Sequence, residues 1–386
     1  MASTIIFIAL LIFSVVSCGD CRKPAGAISK EQEYHLELEK RLQTLDKPAV
    51  KTIIYEETGD VIDCVRINEQ PAFDHPALKN HKIQLHPTLS TPDVSVASSR
   101  NNSSAKALKL RGTGKACPDG TVPIKRTTKE DLIRFDRLSK EYFGGSKAQG
   151  VPDKKVNVRL ENKGKIYGSS ASLSLYNLNI ADDQESSVDV TVESGPPGQV
   201  DELSFGWKGF TNNNGCYNTL CPGFVQVDQE IHINYAFDDV SVYGDENQQY
   251  STPLSLEQAQ DSGNWWLTGG DDRIRIGYWP KELLPNFADG ANAVTWGGTA
   301  TPGPSGNYPP MGNGHLPDGF YKDTCYFHRI TYFNFYHRIT EPVQADTIPY
   351  MGAPSSCYNL NFVTPNEKLA IEGFSFMFGG PGGRCN

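Results

Sequence analysis

The stretch Val188-Asp-Val-Thr-Val192 alternates apolar and polar side chains, and Val156-Asn-Val-Arg-Leu160 repeats the same pattern. Because successive side chains of a strand point to opposite faces, this alternation predicts β-strands with one buried face. Further short runs, separated by Gly, Pro, Asn and Asp, are Ala171 to Leu175, Phe224 to Val227, Ile231 to Tyr235 and Ile274 to Tyr278. Such strands indicate an antiparallel β-sandwich or barrel, and a parallel α/β fold is disfavoured because the crossover helices are missing.

A few segments of this carboxyl-terminal part depart from the strand pattern. Leu256 to Ala259 and Lys281 to Leu284 favour short helices, and Gly379 to Gly383 is interpreted as a flexible, glycine-rich tail. The adjacent Trp265 and Trp266 are predicted to point to opposite faces of one strand, so that one of them can line a cleft. Most other aromatic side chains of this part are expected in the core.

The amino-terminal part has a mixed pattern. Ser29 and Gln32 form a capping-box motif, which predicts a helix that ends near Lys47. Strand-like and turn-like sequence follows to Leu85. The Ser- and Thr-rich residues 88–109 contain no aromatic side chain and are therefore predicted to form an exposed connection.

A second helix is predicted from Thr127 to Tyr142, and the Gly-, Ser- and Lys-containing stretch after it is typical of a linker that proteases can reach. The predicted domains are residues 1–18 as a signal peptide, 19–148 as a smaller α+β domain, and 149–386 as the β-sandwich. The fold class is therefore mainly β, with an antiparallel sandwich preceded by a smaller α+β domain.

Charge is distributed unevenly between these domains. Residues 19–148 contain 22 Lys and Arg against 18 Asp and Glu, whereas residues 149–386 contain 14 against 27. A nucleic-acid-binding protein needs a basic face to neutralise phosphates, so the acidic sandwich excludes an ordinary member of that class. The asymmetry instead predicts that the mildly basic first domain lies on the acidic second one, loosening as carboxylates are protonated.

The first residues have the features of a secretory signal peptide. The apolar run from Ile5 to Val16 is too short to span a bilayer, and small residues follow at Ser17, Cys18 and Gly19. We expect a secreted protein, located outside the cell, in the apoplast or in the vacuole, with no membrane anchor. Asn101 and Asn102 each begin a sequon and are predicted glycosylation sites.

An oxidising compartment makes the cysteines candidates for disulfides. Cys18 is expected to leave with the signal peptide, and Cys21 and Cys325 have no obvious partner. The expected pairs are Cys216 with Cys221, Cys64 with Cys117, and Cys357 with Cys385. A zinc site is disfavoured because no second Cys/His pair stands at ligand spacing, so we expect neither metal nor cofactor.

Familiar catalytic motifs are absent from the sequence: there is no Gly-x-Ser-x-Gly, no His-Glu-x-x-His, no P-loop and no dinucleotide fingerprint. His315, His328 and His337 are candidate bases, but without a recognisable partner each is interpreted as a structural residue. The acidic run Asp182-Asp183-Gln184-Glu185 is interpreted as a solvated turn. None of these features assigns a function to the sequence.

Several segments resemble a known plant family, the neprosin family. The stretches from Gln70 to Gln84 and from Cys117 to Arg134 resemble its activation peptide. Those that resemble its catalytic domain are Gly215 to Gln226, Gly263 to Trp266, Ile276 to Pro280, Trp296 to Gly298 and Met311 to His315. The resemblance implies a secreted zymogen with a β-sandwich mature part. Active members of the family are glutamic endopeptidases that cut after proline at acidic pH.

Such a peptidase needs an ionised carboxyl that takes a proton from water and a protonated carboxyl that polarises the scissile carbonyl. The resemblance places the two family glutamates at positions that hold Ser204 and Thr299 here. A hydroxyl cannot serve as the base, and Glu202, on the same strand face as Ser204, is the candidate substitute. The expected cleft residues are Trp207, Tyr217, Gln226 and Trp296.

Three hypotheses follow. In the first, the cleft survives without proteolysis and binds a proline-containing peptide, a glycan or a small molecule, or supports another reaction. In the second, displaced carboxyls such as Glu202 retain acid endopeptidase activity. In the third, the chain is a cell-wall interaction protein without a small-molecule site. The expected partner of the sandwich is the chain's own first domain, residues 19–148. Removal of this domain is expected to need another protease.

Overall fold

The computed structural model describes residues 29–56, 59–90, 106–107, 116–133, 136, 155–181, 183–197, 199–209, 222–234, 237, 239–363 and 373–385. Helix α1 spans Lys30–Leu45 and begins at the predicted capping box of Ser29 and Gln32. An antiparallel sheet follows in the order β1 (Ala49–Ile54), β2 (Val61–Arg66) and β4 (Thr121–Lys125). Cys64 on β2 is bonded to Cys117, as predicted. This domain is small and α+β.

The second predicted helix is described only at its beginning. Thr128 Oγ1 accepts from the Asp131 amide at 3.1 Å, and the Asp131 carboxylate accepts from the Thr128 amide at 2.8 Å. Residues 129–133 are helical, and the remainder as far as Tyr142, apart from residue 136, lies outside the described residues.

The regular secondary structure described in the carboxyl-terminal domain is almost entirely β-strand. The strands are β5 (Val156–Ile166), β6 (Gly168–Ser174), β7 (Glu185–Ser194), β8 (Asp201–Gly209), β9 (Val225–Gln226), β10 (Tyr250–Gln258), β11 (Trp265–Gly269), β12 (Ile274–Trp279), β13 (Ala291–Thr301), β14 (Cys325–Phe333), β15 (Ile339–Thr340), β16 (Thr347–Met351), β17 (Asn359–Phe362) and β18 (Phe376–Gly379). One turn of 3₁₀ helix at Lys281–Leu283 matches the short helix predicted there.

These strands form two sheets. The five-stranded sheet has the order β16-β5-β13-β7-β8, with every neighbour antiparallel. The ten-stranded sheet follows the path β17-β18-β14-β6-β10-β11-β12-β9, with β15 added at β14. Its tenth strand, β3 (Lys106–Ala107), comes from the amino-terminal domain and pairs in parallel with the start of β10.

The inner faces of the two sheets meet in one apolar core. Val188, Val190 and Val192 of β7 point into it and are fully buried. Trp296 of β13 is buried among them, and its indole N–H donates to Ser169 Oγ of the ten-stranded sheet at 3.0 Å. The predicted mainly β architecture, an antiparallel sandwich after a smaller α+β domain, is confirmed.

Three local predictions were wrong. Leu256 to Ala259 is not helical, because β10 runs to Gln258 and pairs with β6 on one side and β11 on the other. Ile231 to Asn234 forms no strand, since the Asp228 carboxylate accepts from the Ile231 amide at 2.7 Å and closes a turn. The expected flexible tail at Gly379 to Gly383 is instead tied by bridges from Met311 and Tyr308.

The carboxyl terminus is held covalently as well, because Cys357 and Cys385 form the predicted disulfide. Within the described part of the chain, no helix combines the length and apolar character needed to cross a membrane.

Candidate functional site

The outward side of the five-stranded sheet carries the two positions where the resemblance places the family carboxyls. Ser204 on β8 lies opposite Thr191 on β7, and Thr299 on β13 lies opposite Ser187 on β7. With strands about 4.8 Å apart and about 3.4 Å per residue, the two positions are roughly 16 Å apart. Asp189, on the strand between them, occupies the midpoint. We call this outward side the polar face.

Asp189 is the centre of a hydrogen-bond chain that reaches Ser204. Thr191 Oγ1 donates to the Asp189 carboxylate at 2.9 Å and contacts Ser204 Oγ at 2.7 Å. Because the single Thr191 proton is committed to Asp189, the Ser204 hydroxyl donates to Thr191. Ser187 Oγ donates to the other Asp189 oxygen at 2.8 Å. Ser204 therefore presents only acceptor lone pairs to solvent.

Arg159 on β5 extends the chain in the other direction. Its guanidinium forms an ion pair with Asp189 at 2.8 Å and donates to Thr299 Oγ1 at 2.8 Å. Thr299, which is only 2% exposed, in turn donates to Asn157 Oδ1 at 2.8 Å. Ser204 and Thr299 are thus joined by one continuous network, which continues from Thr299 to Asn157.

Two glycines give the ion pair its room. Gly297 stands between Arg159 and Asp189 in the register, and a Cβ there would lie 3.0 Å from Arg159 Cγ and overlap the Val158 carbonyl. Gly206 stands beside Asp189 on β8, where a Cβ would lie 3.0 Å from Asp189 Cβ. At both positions a Cβ would also overlap a main-chain carbonyl, of Val158 or Val188, so a larger residue would shift the strands that carry the pair.

The ion pair sets the protonation state of Asp189. Burial alone would raise its pKa, but the charge and hydrogen bonds of Arg159, with those of Ser187 and Thr191, hold that pKa below its usual value. Only 13% of the Asp189 side chain and 14% of the Arg159 side chain are exposed. An ionised carboxylate so well stabilised is a weak base, because taking up a proton would break the pair.

A second carboxyl does face Glu202. Glu193 on β7 is its direct cross-strand neighbour, which places their Cβ atoms about 5 Å apart. Burial, followed by repulsion from Glu202 and Glu161, raises the pKa of Glu193 above its usual value. Glu202 itself is exposed and points to the same side as Ser204, as the alternation predicts.

The expected cleft residues are not gathered around the polar face. Trp296 is fully buried between the sheets, and Trp207 packs against the same core and donates to the Ser174 carbonyl at 2.8 Å. Gln226 belongs to the ten-stranded sheet, where its side-chain Nε2 donates to the Ile231 carbonyl at 2.6 Å. Tyr217 lies outside the described residues, as do Cys216, Cys221, Asn101 and Asn102.

The adjacent tryptophans point to opposite faces, as predicted, yet neither lines an open cleft. Trp265 packs in the main core against Phe287, and Trp266 lies on the outer side against Tyr278. Both are fully buried. Trp266 is covered by Phe73, Ile83 and Leu89 of the amino-terminal domain.

The three candidate histidines and the free thiol do not belong to the five-stranded sheet that carries the polar face. Burial lowers the pKa of His328 to about 3, and its Nε2 lies 3.1 Å from Ser251 Oγ. His315 stacks on Tyr243 and His337 packs on Tyr167. Burial raises the pKa of the Cys325 thiol to about 12.

Glu185, expected in a solvated turn, is instead a buried residue of β7. No group of three His, Cys, Asp or Glu suited to a metal ion occurs among the described residues.

Sequence reasoning missed the two residues that organise the polar face. Arg159 and Asp189 both occupy polar positions in the alternating runs that predicted the strands. Alternation assigns each to an outward face, but only the register of β5, β13 and β7 brings them together.

Comparison with protein families gives two matches along the chain. Residues 53–170 match the family model described as neprosin activation peptide, which continues through β5 into β6. Residues 201–381 match the family model described as neprosin, which includes both Ser204 and Thr299. Together with the antiparallel sandwich and its preceding α+β domain, these matches show that the chain belongs to the neprosin family and carries its own activation-peptide domain.

Proposed function

We propose that this neprosin-family protein does not cleave peptides by the paired-carboxyl mechanism and that its polar face binds an extended polar ligand. The observation that carries the proposal is the network in which Arg159 neutralises Asp189 between Ser204 and Thr299. A base and an acid with separate pKa values are needed at these positions for the reaction, and hydroxyls joined through an ion pair supply neither.

The same network argues against a repurposed reaction at Ser204. A nucleophilic hydroxyl needs an adjacent base that takes its proton. Here the proton of Ser204 is directed to Thr191, which already donates to Asp189, and the pKa of Asp189 is held down by Arg159. Binding is therefore the better supported of the two outcomes.

The flank of the polar face suggests the class of ligand. Tyr350 and Ile348 on β16 lie beside Arg159 and Glu161 in the register and are 57% and 49% exposed. An exposed aromatic ring next to charged hydrogen-bonding groups suits the flat rings of proline or of a sugar. A proline-containing peptide or a glycan fits this combination better than a compact small molecule, because the face is open and extends over several strands.

The setting of this activity is part of the proposal. The short apolar leader and the sequons at Asn101 and Asn102 support a secreted glycoprotein of the plant apoplast or vacuole. The activation-peptide domain, residues 19–148, is called the pro-domain from here on. Without its own peptidase activity, the chain would depend on another protease for removal of the pro-domain. Intact protein recovered after acidification of the purified full chain supports this, and spontaneous maturation would contradict it.

The test uses the full chain in two assays. Incubation with proline-containing peptides at mildly acidic pH, followed by mass spectrometry, is expected to give no cleavage. Screening against immobilised glycans and proline-containing peptides is expected to give binding that Arg159→Met abolishes while the variant keeps the near-ultraviolet circular dichroism of the folded chain. Specific cleavage, or binding that Arg159→Met leaves intact, would overturn the proposal.

One observation favours a second candidate, an acid endopeptidase with displaced carboxyls. Glu193 and Glu202 form a close pair in which the pKa of Glu193 is raised, as an acid and a base working together require. If this pair works, cleavage at acidic pH is lost in both Glu193→Gln and Glu202→Gln and retained in Glu246→Gln, an exposed control. Cleavage that survives both substitutions would exclude the pair.

A further inference from the structure

A segment of the pro-domain crosses the outer side of the ten-stranded sheet, away from the polar face, and inserts one glutamine into it. The side-chain oxygen of Gln84, Oε1, accepts from Ser262 Oγ at 2.7 Å, Asn264 Nδ2 at 2.9 Å and Trp266 Nε1 at 3.0 Å. Trp266 is fully buried and Asn264 is 4% exposed. Three donors from the sandwich domain therefore converge on one amide oxygen.

The other end of the same amide is also bound. Gln84 Nε2 donates to Asp261 Oδ1 at 3.0 Å. A glutamate in this position would keep the carbonyl contacts but would bring its negative charge against the Asp261 carboxylate, whereas an asparagine would be one methylene too short. The pocket thus has the chemistry to select glutamine.

The main chain of the segment is bound at the glutamine itself and again four residues later, at Thr88. The Gln84 amide donates to Tyr278 Oη at 3.0 Å, and the Gln260 amide donates to the Thr88 carbonyl at 3.0 Å. Ile83 and Leu89 pack against the buried cluster that contains Trp266. Side-chain selection and main-chain hydrogen bonds together are how extended peptides are recognised.

The pocket is built by the sandwich domain without help from the pro-domain. The side-chain oxygen of Asn264, Oδ1, accepts from the Lys281 main-chain amide at 3.1 Å. This bond turns the NH₂ group of the Asn264 side chain toward Gln84. The turn that carries Ser262 and Asn264 is closed by the Gly263 amide, which donates to the Ala259 carbonyl at 2.8 Å. When the Gln84 side chain alone is removed, as by substitution, the buried Trp266 and Asn264 donors stay in place and lose their partner, which is costly for buried groups.

We propose that this part of the ten-stranded sheet is a peptide-binding site selective for a glutamine side chain, and that the pro-domain segment is its intramolecular ligand. Once that segment is displaced or removed, a glutamine-bearing extended peptide from another protein takes its place. The site lies on the opposite sheet from Ser204 and Thr299, so it stands whether or not the polar face binds a ligand.

The first test asks whether the pocket distinguishes glutamine from glutamate in the full chain. Gln84→Glu is expected to raise the rate of amide hydrogen exchange at residue 84 by about tenfold, because the hydrogen bond to Asp261 becomes a repulsion between two carboxylates. Adding Asp261→Asn should restore exchange to within about threefold of wild type, since the new amide can donate to the glutamate. Lys82→Ala, an exposed change in the same segment, is the control and should have no effect. No rescue by Asp261→Asn would overturn the selectivity.

The second test asks whether the site accepts a peptide from outside. The probe is a labelled peptide with the sequence of Leu78 to Ser90, added to the folded full chain and followed by fluorescence anisotropy. The Gln84→Ala chain, whose own glutamine is missing, should bind the probe at least about tenfold more tightly than wild type does. A probe with glutamate in place of glutamine should lose this advantage and regain it when the chain also carries Asp261→Asn. Equal binding of both probes, or equal binding to both chains, would contradict the proposal.

Discussion

The two outer faces of the sandwich satisfy their polar groups in opposite ways. On the polar face, Arg159, Asp189 and Thr299 bond one another within a single sheet. On the ten-stranded sheet, the buried donors of Trp266 and Asn264 are satisfied by a side chain from the pro-domain. Buried polar groups are rarely left without partners. Those of the first face are satisfied within their own sheet, whereas the buried donors of the second are satisfied by the docked segment.

This contrast separates stability from recognition. Removing a group from the polar face should destabilise the sandwich itself, because each partner is fixed by the same sheet. We call the outer side of the ten-stranded sheet, where the pro-domain docks, the covered face. Removing a group from it should mainly loosen the pro-domain.

The largest expected effect is the loss of the ion pair on the polar face. Asp189→Asn leaves Arg159 largely buried without a counter-charge, and we expect it to lower the free energy of unfolding by about 3 kcal/mol. Denaturant unfolding of the full chain measures this. Asp271→Asn removes the same charge from an exposed position and should change little. Equal destabilisation by the two variants would show that the pair is not structural.

On the covered face, the corresponding change is Gln70→Ala. The Gln70 amide is 1% exposed and makes two bonds to the Gln226 main chain, at 3.0 Å through its Nε2 and 2.7 Å through its Oε1. Loss of the Gln70 side-chain amide removes the partner of the Gln226 main-chain N–H and carbonyl. This should weaken docking of the pro-domain by about 2 kcal/mol.

Hydrogen exchange at the Gln226 amide is the measurement for this substitution, with Gln43→Ala on the exposed surface of α1 as its control. Faster exchange that spreads evenly over β7 and β13 would mean that the whole sandwich is destabilised, and the contrast between the faces would then fail.

How far the sequence anticipates the two faces depends on the range of the interactions. Alternation around Val188 and the two adjacent tryptophans gave the strands and their orientation, because that pattern is local. Leu256 was misassigned to a helix because its strand is imposed by pairing with β6 and β11. The Arg159–Asp189 pair and the Gln84 pocket depend on register and docking between distant segments, which local patterns do not contain.

A smaller effect is the pH dependence of the polar face. The pKa of Asp189 is lowered in the folded state, so its contribution to stability is present above the ordinary aspartate pKa and is lost as pH falls through the lowered one. The stability gap between wild type and Asp189→Asn should therefore narrow on acidification. Urea midpoints taken from neutral to strongly acidic pH test this, and a gap that widens would reverse the sign assigned to Asp189.

The smallest expected change in stability is at the flank of the polar face. Tyr350 is 57% exposed on the outermost strand, so Tyr350→Ala should alter the free energy of unfolding by less than about 0.5 kcal/mol. The same substitution should weaken binding of a proline-containing peptide or glycan about tenfold, because the aromatic platform beside Arg159 is lost. Tyr336→Ala removes an even more exposed ring, 74% accessible, from a loop elsewhere and is the matched control. If both tyrosine variants bind alike, the polar face does not recognise its ligand through Tyr350, and recognition would have to rest on the Arg159 network alone.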